Sequence, residues 1–168
     1  MADSIAEALS LKVIEYMVAD SRFDDITAFF VGSPMRVMSE LIPNCEIAII
    51  TSDTIEVVLG GRQKHNYFGQ CRFYDNFQDL ITVTDRVGIV PSYQSIYKFC
   101  NHFKSLFMER ANRTLGGYAG TIDSIAFTVV EIAMGELAYG INPDDERLEN
   151  WSNFGKVEFR ISTYEQSV

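Results

Sequence analysis

Apolar residues recur at helical spacing near the middle of the chain, and the polar residues between them fall largely off that stripe. The members of the stripe are Ile96, Phe99, Cys100, Phe103, Leu106 and Phe107. Because an α-helix turns once every 3.6 residues, this spacing predicts a helix with one buried face. Ser92 is its predicted N-cap, and Gly116-Gly117 is predicted to end it, because glycine accepts the left-handed cap at low cost.

The residues that follow this helix have the composition of β-strands. Residues 125–130 are β-branched or aromatic at most positions and are apolar on both alternating faces, which favours a strand buried on both sides, although a second helix has a similar pattern. Val157, Phe159 and Ile161 alternate with polar residues and predict a half-buried closing strand. Residues 164–168 are polar and are predicted to form a loose tail.

The first half of the chain begins with a helix signal and continues with strands. Ser4 and Glu7 have capping-box spacing, and the apolar residues after them predict a helix over 4–19. Two strands, 45–51 and 54–59, are predicted to form a hairpin around Ser52-Asp53.

A basic loop and two further segments complete this half. Residues 60–65 read as a flexible basic loop, and 67–77 as a strand. The signals over 78–91 are mixed and indicate a long connection, with room for a short strand or helical turn.

Together these elements predict an α+β fold in which a mainly antiparallel sheet packs against two helices. Its 168 residues form one predicted domain. Gly135, Gly140 and Pro143 interrupt the pattern before the closing strand, so residues 133–150 are predicted to be a long exposed loop.

The composition restricts the possible partners and compartment. The formal net charge of −9 argues against a broad nucleic-acid surface, because lysine and arginine supply that affinity. No apolar run approaches the ~20 residues that span a bilayer, and the first residues show no secretory signal, so we expect a soluble intracellular protein without membrane contact. Cys45, Cys71 and Cys100 are widely spaced and odd in number, which favours reduced thiols.

The sequence offers little support for catalysis, a cofactor or a metal. Gly60-Gly61 lacks the spacing of a phosphate-binding loop. Cys100 and His102 are two residues apart on the predicted helix and point to different sides. We therefore expect no enzyme and no cofactor, with His102 in a structural or solvated role.

The order of these elements resembles the tail terminator, or tail completion, proteins of long-tailed bacteriophages, typified by the lambda-type terminator. The likeness covers most of the chain. Its short signatures are residues 29–34 (FFVGSP), 42–49 (IPNCEIAI), 112–117 (NRTLGG) and 151–165 (WSNFGKVEFRISTYE), together with the first helix and the strand at 67–77.

The resemblance implies a tail-terminator-like subunit of a homohexameric ring at the head-proximal end of the tail tube. Such a ring stops polymerisation of the tube protein and docks to the head or neck connector, and it has no catalytic residues. It would belong to the virion and assemble in the host cytoplasm. DNA would pass through its lumen without specific binding, and an acidic lumen would keep that DNA mobile.

A ring subunit would make its contacts through loops and edges, since cyclic rings use heterologous interfaces. The candidate interface residues form a basic and an acidic group, in the same or in neighbouring subunits; the alternative is that both groups are merely solvated. They are Arg62, Lys64 and His65 on one side, and Asp144, Asp145 and Glu146 on the other. Their opposite charges would set register more than affinity.

Other functions remain open from the sequence. The nearest alternatives are a head–tail connector, a neck adaptor or a tail-tube-like protein. From another class, a soluble ligand-binding or regulatory α+β domain would use a pocket between helix and sheet. A cation site at Asp144, Asp145 and Glu146, and a small enzyme, rank last.

Overall fold

The computed structural model describes residues 2–32, 43–58, 60–76, 78–83, 86–91, 94–142 and 152–168. This part of the chain contains two helices (α1 and α2), a short 3₁₀ turn and eight strands (β1 to β8). The elements are α1 (Ile5–Val18), the 3₁₀ turn (Ser21–Phe23), β1 (Ala28–Val31), β2 (Asn44–Val58), β3 (Arg62–Asn76), β4 (Gln78–Val83), β5 (Arg86–Pro91), α2 (Gln94–Met108), β6 (Ala119–Ile122), β7 (Ile125–Asn142) and β8 (Ser152–Ser167).

Six of these strands form one curled sheet in the order β1-β2-β3-β8-β7-β6. The pair β1–β2 is parallel, and the other pairs are antiparallel. Strands β4 and β5 make a separate antiparallel ribbon. The predicted α+β fold with a mainly antiparallel sheet and two helices is confirmed.

The core lies between one face of this sheet and the two helices. Helix α2 packs on β3, β7 and β8, and α1 packs on β1 and β2. All six residues of the predicted α2 stripe are buried. Phe73 of β3 stacks between Phe23 and Phe99, with ring centroids 6.2 and 5.6 Å away. Aromatic rings therefore fill the space between the helices and the sheet.

The N-terminal helix begins as predicted, with a small change in its cap. The amide of Glu7 donates to the Ser4 hydroxyl at 3.1 Å. The carboxylate of Glu7 accepts from the amide of Asp3 at 2.7 Å, one residue earlier than a capping box requires. The first bond satisfies an amide that the first turn leaves without a helical partner, and the second fixes the residue before the N-cap.

The predicted turn at Ser52-Asp53 is wrong, because β2 runs unbroken through it. Ser52 and Asp53 pair with Tyr67 and Asn66 of β3. The chain turns instead at Gly60-Gly61, where φ is +91° and +78°, a conformation that glycine adopts without strain. The predicted basic loop is also wrong beyond this turn, because residues 62–65 begin β3.

Helix α2 ends at Met108, before the predicted stop at Gly116-Gly117. The side-chain amide of Asn112 donates to the carbonyl of Leu106 at 2.8 Å, an acceptor that a continuing helix would use for the amide of Arg110. The two glycines, with φ of +66° and +73°, lie in turns that follow.

The last third of the chain contains more strand than the sequence indicated. Strand β7 continues to Asn142, so the predicted loop is wrong over 133–142, while residues 143–150 lie outside the described part. Thr128 is exposed, so residues 125–130 are buried on one face rather than two. The predicted tail is also wrong, because β8 extends to Ser167. The alternation at 157–161 is confirmed.

The segment 78–91 is the ribbon of β4 and β5 rather than a long connection. The predicted N-cap Ser92 lies outside the described residues.

Candidate functional site

The two margins of the sheet expose strand edges that have no strand partner in the described part of the chain. Strand β1 pairs only with residues 44–47 of β2, and β6 pairs only with residues 125–128 of β7. Single backbone hydrogen bonds extend this pairing a little further. The amide of Gly32 donates to the carbonyl of Ile47, and the amides of Val129 and Ile132 donate to the carbonyls of Tyr118 and Arg113. We call residues 48–58 of β2 and 133–142 of β7 the open edges.

An open edge presents a row of backbone donors and acceptors that another strand can use. On β2, the side chains of Ile50 and Val57 are 56% and 73% exposed, which is unusual for large apolar residues of a strand. On β7, Gly135, Glu136 and Ala138 are exposed. Within the described ranges, both margins are therefore accessible for pairing with a further strand.

The open edges lie at diagonally opposite corners of the sheet. At one end of the sheet, Val58 of β2 pairs with Arg62 of β3, and Ser167 of β8 lies at this same end. Asn142 at the end of β7 pairs with Ser152 at the other end. Because three antiparallel pairings separate β2 from β7, the two edge strands run in opposite directions.

The predicted basic residues lie on strand β3 and do not share a face. Tyr67 belongs to the buried core, so alternation puts His65 on the helix-covered face. Arg62 and Lys64 are on the opposite face, which we call the outer face. The described structure thus separates His65 from the other two basic candidates.

The acidic candidates Asp144, Asp145 and Glu146 lie outside the described residues. Their predicted contact with the basic residues, in the same or in a neighbouring subunit, stays a prediction.

A buried carboxylate forms a polar cluster beside His65. The Tyr67 hydroxyl donates to Glu165 Oε1 at 2.6 Å, and the Thr163 hydroxyl donates to the same oxygen at 2.8 Å. His65 Nε2 lies 3.7 Å from Glu165 Oε2. Burial and the bond to Glu165 raise the pKa of Tyr67, so its hydroxyl remains a donor at neutral pH.

This cluster joins β3 to β8. His65 is also within hydrogen-bond distance of Thr54 Oγ1 (3.3 Å) and of Gln63 Oε1 (3.2 Å). The sequence did not reveal Glu165, because residues 164–168 were predicted to be a tail. The arrangement supplies hydrogen-bond donors to the buried carboxylate of Glu165, which favours the observed register between β3 and β8.

Replacing Tyr67 with phenylalanine should lower the free energy of unfolding by about 1–3 kcal/mol, because buried Glu165 loses a donor. Urea denaturation followed by circular dichroism measures the change. Tyr164→Phe is the matched control, since Tyr164 is 37% exposed, and it should change the value by less than about 0.5 kcal/mol. An equal effect of both changes would contradict a special role for the cluster.

The surroundings of the three thiols and of His102 indicate structural roles for these side chains. Cys45, Cys71 and Cys100 are free and buried, as predicted for reduced thiols. Burial raises the pKa of Cys100 to about 12, which disfavours a reactive thiolate. His102 Nδ1 is 3.4 Å from the carbonyl oxygen of Arg22, and its ring meets the ring of Phe23 edge-on.

No group of three or more His, Cys, Asp or Glu side chains in the described residues is arranged to hold a metal ion. Neither helix in that part is both long and apolar enough to cross a bilayer.

Comparison with known proteins adds no assignment. No family model matches the sequence, and no curated protein matches it at a significant level.

Proposed function

We propose that this chain is a structural subunit of a bacteriophage tail that assembles into a ring at the head-proximal end of the tail tube. The ring would end polymerisation of the tube protein and form the surface that docks to the head or neck connector. The observation that supports assembly is the pair of open edges at opposite margins of one sheet. The order of sequence elements supports the assignment to a tail.

The geometry of the edges favours a ring over a simple dimer. The two edges differ in sequence and lie on opposite sides of the subunit, so each can pair with the other edge of a different copy. Such a heterologous contact repeats from copy to copy and closes when the rotation per subunit permits it. The pairing would be antiparallel, as most of the sheet already is.

The diagonal position of the edges sets a further condition on this ring. For one edge to meet the other, neighbouring subunits must be shifted along the strand direction. Closed sheets have such a shift whenever their strands are tilted to the axis. We therefore expect tilted strands in the assembled ring, with DNA passing through the lumen without specific contacts.

The same geometry gives less support to a ligand-binding domain with a pocket between helix and sheet. That interface is occupied by packed rings, among them Phe73, Phe99 and Phe103, each at most 2% exposed. A connector, neck adaptor or tail-tube-like protein would use the same edges and remains the nearest alternative.

Native mass spectrometry and negative-stain imaging of the purified chain test the proposal. We expect closed rings, with six copies as the implied number, at micromolar protein concentration. Addition of these rings to a polymerising tube protein should then stop its growth, which a neck adaptor would not do. A chain that stays monomeric up to the highest soluble concentration would contradict the proposal.

A further inference from the structure

The basic residues of the sheet fall into two groups by their ion pairs. Arg72 lies 3.7 Å from Glu46, Lys156 lies 3.1 Å from Glu158, and Arg160 lies 3.1 Å from Glu131. Arg62 and Lys64 form no ion pair with the side chains that the structure describes, which do not include that of Glu56, the residue opposite Lys64 in the strand register. Arg62 is exposed at the start of β3.

Beside these cations, the outer face of the sheet contains a pocket of about 190 Å³. It is lined by Arg62, Ala126, Thr128, Tyr164, Glu165 and Gln166. Cross-strand pairing explains its position, because Thr128 is opposite Tyr164 and Ala126 is opposite Gln166.

The carboxylate of the acid in this lining forms its hydrogen bonds on the other face of the sheet. The carboxylate of Glu165 accepts hydrogen bonds from Tyr67 and Thr163 on the helix-covered face. Residues 164 and 166, its neighbours in β8, point to the outer face. The other polar side chains of the lining carry a guanidinium, two hydroxyls and a carboxamide, all of which can donate hydrogen bonds. The carboxamide of Gln166 donates one of its two N–H groups to the carbonyl of Gly60 at 3.5 Å, which leaves the other for a ligand.

We propose that this pocket is a carboxylate-binding site in which Arg62 is the principal ligand-binding residue. A planar guanidinium binds a carboxylate through two parallel hydrogen bonds, and Thr128, Tyr164 and Gln166 supply further donors around the same volume. Lys64 lies opposite Tyr164 on β8 and opposite Glu56 on β2, so Arg62 is the cation on which the site depends. The site does not depend on ring assembly, so the two proposals can fail separately.

The ligand class is a carboxylate, which an acidic protein side chain or a free dicarboxylate can provide. Two-dimensional ¹H–¹⁵N NMR of the full chain, titrated separately with N-acetyl-Asp-Asp-Glu amide and with glutarate, distinguishes these sources. We expect shifts of Thr128 and of the Gln166 side-chain amide, with a dissociation constant on the order of 1 mM. The neutral peptide N-acetyl-Asn-Asn-Gln amide is the ligand control.

Arg62→Gln should weaken binding at least about tenfold, since it removes the charged fork but keeps a polar side chain. Arg110→Gln, at an exposed arginine that does not line the pocket, should leave binding unchanged. Binding of the acidic peptide alone identifies a protein acid as the ligand, and binding of both probes identifies any small carboxylate. The proposal is overturned if neither acidic probe binds, if the neutral peptide binds equally, or if Arg62→Gln has no effect.

Discussion

Replacing Phe103 with alanine should lower the free energy of unfolding by about 3–5 kcal/mol, the usual cost of removing a buried aromatic ring. The ring is fully buried and lies 6.4 Å from Phe73, 5.1 Å from Phe107 and 5.8 Å from Phe159, measured between centroids. It therefore joins two turns of α2 to β3 and β8. The resulting cavity would lie at the centre of the core, where rigid neighbours cannot fill it.

Urea denaturation followed by circular dichroism measures this loss. Tyr97→Ala on the same helix is the matched control, because Tyr97 is 56% exposed and stacks only on Tyr139 in the described aromatic contacts. It should cost about 1 kcal/mol or less. Equal losses at the two positions would show that α2 does not bury the predicted stripe.

The elements that depend on local pattern could be predicted from the sequence. The buried stripe of α2 can be predicted from residue spacing alone, because burial of one helical face requires apolar residues every three to four positions. The cap at Ser4 and the alternation of Val157, Phe159 and Ile161 are equally local signals. Local chemistry therefore identified both helices, the closing strand and the α+β class.

Strand ends could not be predicted, because pairing with neighbours decides them. Ser52 and Asp53 favour a turn in isolation, but in β2 they pair with β3 along the full length of the hairpin. Gly135 likewise indicated a loop, yet it lies at a bulge in β7 where a Cβ would meet Glu158 at 3.2 Å. Contacts between distant residues outweighed the local preference in both places.

The candidate interface was predictable only in part for the same reason. Arg62 and Lys64 could be recognised by charge, but their position on a strand beside a pocket depends on Tyr164 and Gln166, about a hundred residues later in the chain. The open edges depend on the lengths of β1 and β6 relative to their partners. No local motif encodes a difference in strand length.

Proline at the open edges should weaken assembly of the ring while leaving the subunit folded. Ile50 and Glu136 both lie at register shifts, where β2 and β7 carry residues without a paired partner. Proline is tolerated at bulges and on edge strands, but it removes a backbone donor. We expect Ile50→Pro and Glu136→Pro each to raise the dissociation constant of assembly at least about tenfold, or about 1.4 kcal/mol.

Native mass spectrometry measures the assembly, and circular dichroism confirms that each variant folds. Ile50→Thr and Glu136→Thr are the matched controls, because they change the side chain and keep the N–H, so both should form rings. Hydrogen exchange adds a second measure: those amides of residues 51–58 that point away from β3 should become protected on assembly of the unaltered chain, whereas Phe159 in β8 should be protected throughout.

Mixing the two proline variants tests the direction of the contact. If β2 of one copy pairs with β7 of the next, the Ile50→Pro variant retains a working β7 edge and the Glu136→Pro variant retains a working β2 edge. The mixture should then form heterodimers but no larger species, since each dimer has one blocked edge at either end. Rings in the mixture, or homodimers of either variant alone, would contradict head-to-tail pairing.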